Sequence, residues 1–224
     1  MKLKGRPLIH PSAPSEEANA NDTDNNDQVA TTATSVVVTG PILKTNVSLS
    51  FWGGIDPITG TIIDQQHPLV GNCVTSSIFC LPSGRGSCTA SQVLLELILN
   101  GIAPKAILLR DADGLVAVGA LVAQEMFGKS LPILCMEEVG FDKILESSNT
   151  HAAVVVGGLD NEEGHVFCGT DPVMLQQQAY NDIAMENANK SDHGIMNSGE
   201  AFSPQEKNLL ANATNPAERM ALRV

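Results

Sequence analysis

A strand, a glycine-rich turn and a helix start follow one another without a break between Cys73 and Leu99. This succession limits the fold more than any other stretch of the chain. The β-type run Cys73 to Leu81 leads into a tight turn, Pro82 to Ser87, in which Gly84 and Gly86 flank Arg85. Val93, Leu94, Leu97 and Ile98 then recur at helical spacing. A strand–loop–helix junction aims unpaired backbone N–H groups and the positive end of a helix dipole at a bound anion. Arg85 adds a guanidinium, Ser87 a hydroxyl and Cys88 a thiol. The turn is therefore read as the chemical end of the protein.

The chain around it divides by composition. Residues 1–35 hold much Pro, Ser, Asn, Asp, Thr and Ala, and are expected to be a disordered extension. Order is expected from Val36, through a strand-like run Ile42 to Phe51 and a loop region rich in turn signals: Gly53-Gly54, Asp56-Pro57 and Thr59-Gly60. After the central turn, strands and helices alternate. Gln92 to Leu99 is helix, stopped at Asn100-Gly101, and Lys105 to Arg110 is strand. Leu115 to Phe127 is helix, Leu131 to Met136 strand, Phe141 to Glu146 helix and Ala152 to Val156 strand. Such alternation predicts an α/β fold with parallel βαβ units. Aromatic residues are only 4% of the chain, so Val, Ile, Leu and Ala must build the core. Residues 171–202 read as a polar linker. In residues 203–224, Ser203, Pro204 and Glu206 signal a helix start that opens a further, truncated domain.

Charge narrows the partners. Thirteen Lys and Arg stand against 25 Asp and Glu, a formal charge of -12, which disfavours nucleic acid and anionic membranes as partners. The five cysteines show no CxxC and wide spacings, so neither a disulfide framework nor a metal site of this chain's own is predicted, and reduced thiols point to a cytoplasmic setting. No apolar run approaches the ~20 residues of a membrane span, and the basic N-terminus lacks the apolar stretch of a secretory signal.

Several readings compete for the central turn. It lacks the Lys-Ser/Thr ending of a P-loop, and Gly84-x-Gly86 lacks the third glycine of a dinucleotide fingerprint. Thr89 and Gln92 form a capping box, which leaves Ser87 without a capping duty. No G-x-S-x-G elbow makes Ser87 a hydrolase nucleophile. A serine acting as base would need N–H donors and a positive neighbour to lower its pKa, and the helix start with Arg85 offers both. Elsewhere Asp64 and His67 are expected in a solvated loop, and Phe51-Trp52 as packing under a turn. Asp111 and Asp113 are expected in a turn and Glu137-Glu138 at a helix start, while His151 and His165 have no partner at ligand spacing.

The segments Leu49 to Gly60, Ile63-Asp64 with His67-Pro68-Leu69, and Leu81 to Cys88 running into Val93–Leu97 resemble the small subunit, or swivel domain, of aconitase X. Asn100-Gly101 with Ala103-Pro104 and Phe127 to Pro132 extend the resemblance, which runs in order from Val36 to Val156. It implies a swivelling β/β/α domain over residues 36–170 that closes over an iron–sulfur catalytic domain. It also implies a hydro-lyase acting on a hydroxy acid, with mevalonate 5-phosphate and cis-3-hydroxy-L-proline as family substrates. Ser87 would take the substrate proton, and Gly84, Arg85, Gly86 and Cys88 would hold the substrate anion. The cluster ligands would belong to the large domain or subunit, of which residues 203–224 look like the opening. Two other readings stay open: a non-catalytic binding or regulatory module, and a nucleotide-binding α/β protein.

Overall fold

Two βαβ crossovers set the frame. The computed structural model describes residues 1–9, 31–32, 35–86, 88–157 and 163–194, with the backbone alone at 31–32 and 186–194. Strand β1 is Lys2–Ile9, β2 Thr31–Thr32, β3 Ser35–Lys44 and β4 Ile78–Leu81. Helix α1 (Thr89–Leu99) leads to β5 (Ala106–Leu109), and α2 (Gly114–Phe127) leads to β6 (Ile133–Met136). Helix α3 (Glu138–Glu146), β7 (His151–Gly157), β8 (Gly164–Gly169) and α4 (Pro172–Gly194) complete the order. By compactness Met1–Met185 forms one unit.

Strands β3, β4, β5 and β6 run parallel. Strand β1 pairs antiparallel with β6 on one side and β8 on the other. β8 pairs with β7, and β7 returns to β3 through Val36↔Val156 and its neighbours. Ser35 to Pro41 of β3 face β7 while Ile42 to Lys44 face β4, so the hydrogen bonds close seven strands into a ring, with β2 added at Val36. Closure removes the sheet edges that would otherwise invite pairing with other chains.

The ring is filled from every strand. Leu3, Val38, Ile78, Leu108, Leu134, Val154 and Val166 meet inside it, with Phe141 and Ile144 of α3 in the same cluster. Outside, Phe79, Leu81, Ile107 and Leu109 take the buried faces of α1 and α2. The four residues of β4 and of β5 are all buried, as expected of strands covered on both faces. A third cluster joins Val37, Ala153, Val155 and Phe167 to Leu175, Ala179 and Ile183 of α4. Lys44 donates to the carbonyls of Ile144 and Ser147, satisfying the open end of α3.

The α/β alternation between residues 89 and 157 forms as expected, and four other expectations need correction. Residues 2–9 are not disordered: Leu3, Gly5 and Pro7 are buried and alternate with exposed Lys2, Lys4 and Arg6, and after a register shift between Pro7 and Ile9, Ile9 joins the cluster under α1 and α2. The linker expected at 171–202 is helical to Gly194. Asp171 accepts from the N–H groups of Val173 and Met174, capping α4, and Leu175, Ala179 and Ile183 supply an apolar stripe at a spacing of four. The strand expected from Cys73 begins only at Ile78, because Val74, Thr75 and Ser76 make turns against Gly60 and Ala103. Cys88, not Thr89, is the N-cap residue of α1, so the capping box does not form as drawn. Residues 10–30 and the helix start at 203–224 lie outside the described residues.

Candidate functional site

The carboxyl ends of parallel strands gather ligands in open α/β sheets, because helix starts and loops converge there. Here three loops converge: the one leaving β3, the glycine turn leaving β4 and the one leaving β5. Leu49 bridges Gly84 in parallel, and the Arg85 N–H donates to the Leu49 carbonyl at 3.0 Å. The hydroxyls of Ser48 and Ser83 are 3.0 Å apart. On the other flank, the N–H groups of Arg110 and Asp111 donate to the Pro82 carbonyl at 3.1 and 2.9 Å.

Both glycines of the turn are needed. A Cβ on Gly84 would lie 2.6 Å from Asp113 Oδ2 and 3.0 Å from Val116 Cγ2. Asp113 cannot simply step aside, since its Oδ1 accepts from the N–H groups of Leu115 and Val116 and caps α2. Gly86 has φ +111, where any side chain is strained. The turn is therefore wedged between the Leu49 strand and the head of α2, and Arg85 is the cation it carries.

Arg85 Nη2 donates to Asp64 Oδ2 at 3.0 Å. The Asp64 side chain is 18% exposed and that of Arg85 59%. Asp64 is itself held: its Oδ1 accepts from the Gln66 N–H at 3.0 Å, and its own N–H donates to the Gly54 carbonyl. Twenty-one residues separate the two in sequence, with no periodicity to link them.

The other candidates sort clearly. His67 is not solvated: it is 3% exposed, its Nδ1 accepts from the Leu69 N–H, and its Nε2 lies 3.2 Å from the Val47 carbonyl. An Nδ1 that accepts leaves the ring hydrogen on Nε2 to donate to Val47, so the imidazole pins the Val47 loop to the Leu69 turn. Phe51 packs as expected, but the Trp52 ring is 62% exposed. Asp111 pairs with Arg110 at 2.9 Å, and this bond raises the already high pKa of the guanidinium. Asp56 sits below the usual carboxylate range because the Ile58 N–H, then the Thr59 hydroxyl, donate to it. Glu137 and Glu138 start α3 as expected. His165 is buried with Glu163 4.0 Å away, and His151 meets the Thr150 hydroxyl.

Gly84, Arg85, Gly86 and Cys88 occupy one turn at the head of α1. Ser87 lies outside the described residues. Cys88 is exposed and its carbonyl accepts from the Ser91 side chain and N–H. Three of the other cysteines are disfavoured as thiolates. Burial pushes the Cys80 thiol up to about 12 and the Cys168 thiol to about 11, and raises Cys135 as well, whereas a cluster needs thiolates. Among the described residues no three His, Cys, Asp or Glu side chains come together to hold a metal, and no helix is long and apolar enough to cross a membrane. What the turn offers is a fixed guanidinium at a helix start, suited to a small anion.

Comparisons with known proteins bear on the family and the fold. The family model of the aconitase X swivel domain matches residues 28–166. The cis-3-hydroxy-L-proline dehydratase of Pseudomonas aeruginosa is 53% identical over 105 residues, which are 47% of this chain and 18% of that protein. The phosphomevalonate dehydratase small subunit of Methanothermobacter thermautotrophicus is 42% identical over 84 residues, 38% of this chain and 64% of that subunit. The crystal structure of Thermococcus kodakaraensis aconitase X in its holo form matches with a TM-score of 0.52 at 26% identity, over 75% of this chain and 98% of that one. The chain thus spans under a fifth of the hydroxyproline dehydratase and under two thirds of the small subunit.

Proposed function

The chain belongs to the aconitase X swivel-domain family, and from that premise we propose that it supplies one half of the active site of a hydro-lyase that dehydrates a hydroxy acid. The observation that carries the reading is the glycine turn itself. Gly84 and Gly86 cannot accept side chains without strain, and between them they present Arg85 at the head of α1. A turn built at that steric cost beside an anion-binding helix start serves a ligand better than it serves packing.

In this reading Ser87 accepts the proton from the carbon beside the substrate carboxylate. A C–O bond on the neighbouring carbon breaks, a C=C bond forms, and water leaves. Arg85 and the backbone from Gly84 to Cys88 hold the carboxylate and stabilise the negative charge that grows on it as the proton departs. A serine hydroxyl is too weakly acidic to act as base in water, so the N–H donors of the helix start and the Arg85 cation are what would lower its pKa. Departure of the hydroxyl is assigned to groups outside this chain.

The partner is a large catalytic domain or subunit. The iron–sulfur cluster, the cofactor expected of such enzymes, is assigned in this reading to that partner, and among the described residues no three His, Cys, Asp or Glu side chains come together to hold a metal. The relatives are named for cis-3-hydroxy-L-proline and for phosphomevalonate, both hydroxy acids. Exclusion of water when the two halves close would strengthen the Arg85 interaction. A cytoplasmic setting is part of the same proposal, supported by five free thiols.

The test is Ser87→Ala in the assembled two-part enzyme. Loss of general-base catalysis should cost about 10²–10⁴ in kcat, with assembly and melting temperature unchanged. Turnover within a factor of two of wild type would remove Ser87 from the role.

A further inference from the structure

Arg85 is useful to a substrate anion only if its guanidinium is held in place, since an exposed arginine samples many rotamers and pays entropy when it is ordered. The structure holds both ends of it. The backbone is fixed by Gly84, Gly86 and the Arg85 N–H to Leu49 bond. The tip is fixed by Asp64, 3.0 Å from Nη2. Asp64 is largely buried, and its second oxygen is bound to the Gln66 N–H, so its position is set by the loop. The same loop is fixed from below by His67, which ties the Leu69 turn to the Val47 carbonyl.

We infer that Asp64 is the positioning residue for Arg85: its carboxylate anchors Nη2 of the guanidinium so that the substrate carboxylate meets a preset cation. The inference rests on the proposed role of Arg85 in anion binding. A guanidinium has five N–H donors in a planar fork, so contact at Nη2 leaves the fork able to meet a second carboxylate. The aspartate touches no reacting atom; it acts through the arginine. An isolated exposed ion pair contributes little to stability, so the value of this one lies in geometry.

Asp64→Asn separates the positioning role from the structural one. Asparagine keeps an oxygen for the Gln66 N–H, and so keeps the turn, but loses the charge that faces Arg85. In the assembled enzyme Asp64→Asn should raise KM about 10-fold, in line with losing a charge-assisted hydrogen bond, with a smaller change in kcat and an unchanged melting temperature. Asp64→Glu should recover part of the loss. In an Arg85→Gln background Asp64→Asn should add less than a factor of two, because the residue through which it acts is gone. An unchanged KM in Asp64→Asn, or an equal penalty with and without Arg85, would overturn the inference.

A second measurement needs no turnover. In the full chain, NMR of the Arg85 Nε–Cζ bond should show slow rotation in wild type and fast rotation in Asp64→Asn. Wild-type enzyme that dehydrates no hydroxy acid would defeat the proposed function while the rotation still decides the positioning. Fast rotation in wild type would defeat the positioning whatever the activity.

Discussion

The parallel and antiparallel halves of the ring are built on opposite terms. In the parallel half, three loops at the ends of β3, β4 and β5 are locked by polar contacts and by two glycines, and they leave Arg85 and Trp52 toward solvent. In the antiparallel half, β1, β8 and β7 carry buried apolar residues, Ala153, Val155 and Phe167 pack against α4, and exposed ion pairs such as Lys2–Asp182 and Lys4–Glu163 lie at the surface. Exposed pairs of that kind contribute about 0–1 kcal/mol, so this wall is held by its core. The proposed site residues all lie at the loop end of the parallel half, so stability of the wall and the proposed chemistry rest on different residues. Substitutions should therefore separate the two properties.

The largest expected effect tests the wall. Removing residues 1–9 takes out the strand that joins β6 to β8 and opens the ring at two edges. Cooperative thermal unfolding, followed by far-ultraviolet circular dichroism, should be lost. A melting curve like that of the full chain would mean that β1 is dispensable and that the antiparallel half is held by α4 alone.

A middle-sized effect tests the loop half. Gly84→Ala puts a methyl group against Asp113 and Val116. Displacing the Asp113 cap should cost about 1–2 kcal/mol in denaturant unfolding. Activity of the assembled enzyme should fall more than that loss explains, since the turn moves with Arg85. A variant that loses stability but keeps kcat/KM would show that the loop end is also structural and would blur the contrast between the halves.

The effect that vanishes at neutral pH belongs to the ring interior and is visible only in alkali. Burial raises Cys80 from its ordinary 9.0 to about 12 in the folded chain. Below pH 9 the thiol is neutral in both states and its contribution is fully present. Between pH 9 and 12 the unfolded thiol ionises while the folded one does not, so unfolding releases a proton and stability falls as pH rises. The loss should be about 1.4 kcal/mol per pH unit from this thiol. Cys80→Val should flatten the profile above pH 9 by that amount. Identical slopes for the two proteins would show that the thiol gains contact with water in the native state.

Much of the parallel half is legible along the chain. The runs at Ala106–Leu109 and Ile133–Met136 are short and apolar because both faces are covered, and Gly128, in the left-handed conformation, ends α2 where the periodicity stops. The central turn is legible too, since paired glycines signal a turn: Gly86 takes a φ of +111 and Gly84 leaves no room for a Cβ beside Asp113. The antiparallel half is much less so. Lys2 to Ile9 alternates as a strand should, but its buried residues include a glycine and a proline, which read as disorder until β6 and β8 are seen on either side. Helix α4 hides its stripe of Leu175, Ala179 and Ile183 among glutamines and asparagines.

The site divides in the same way. Residue types alone point to the turn of Gly84, Arg85, Gly86 and Cys88 as a candidate anion site, because the demands on backbone and charge are local. The resemblance adds Ser87 as the proton acceptor. Nothing local pairs Arg85 with Asp64, or buries His67 between Val47 and Leu69. Those contacts exist because the chain folds the long segment between β3 and β4 back over the strand ends, and loop closure carries no periodic signature in the residues it joins. The sequence by itself determined the alternation of strands and helices between residues 89 and 157 and the residue types of the turn, both of which rest on interactions within a few residues. The tertiary structure decided the closure of the ring and the partner of the arginine, which rest on contacts between residues far apart in the chain.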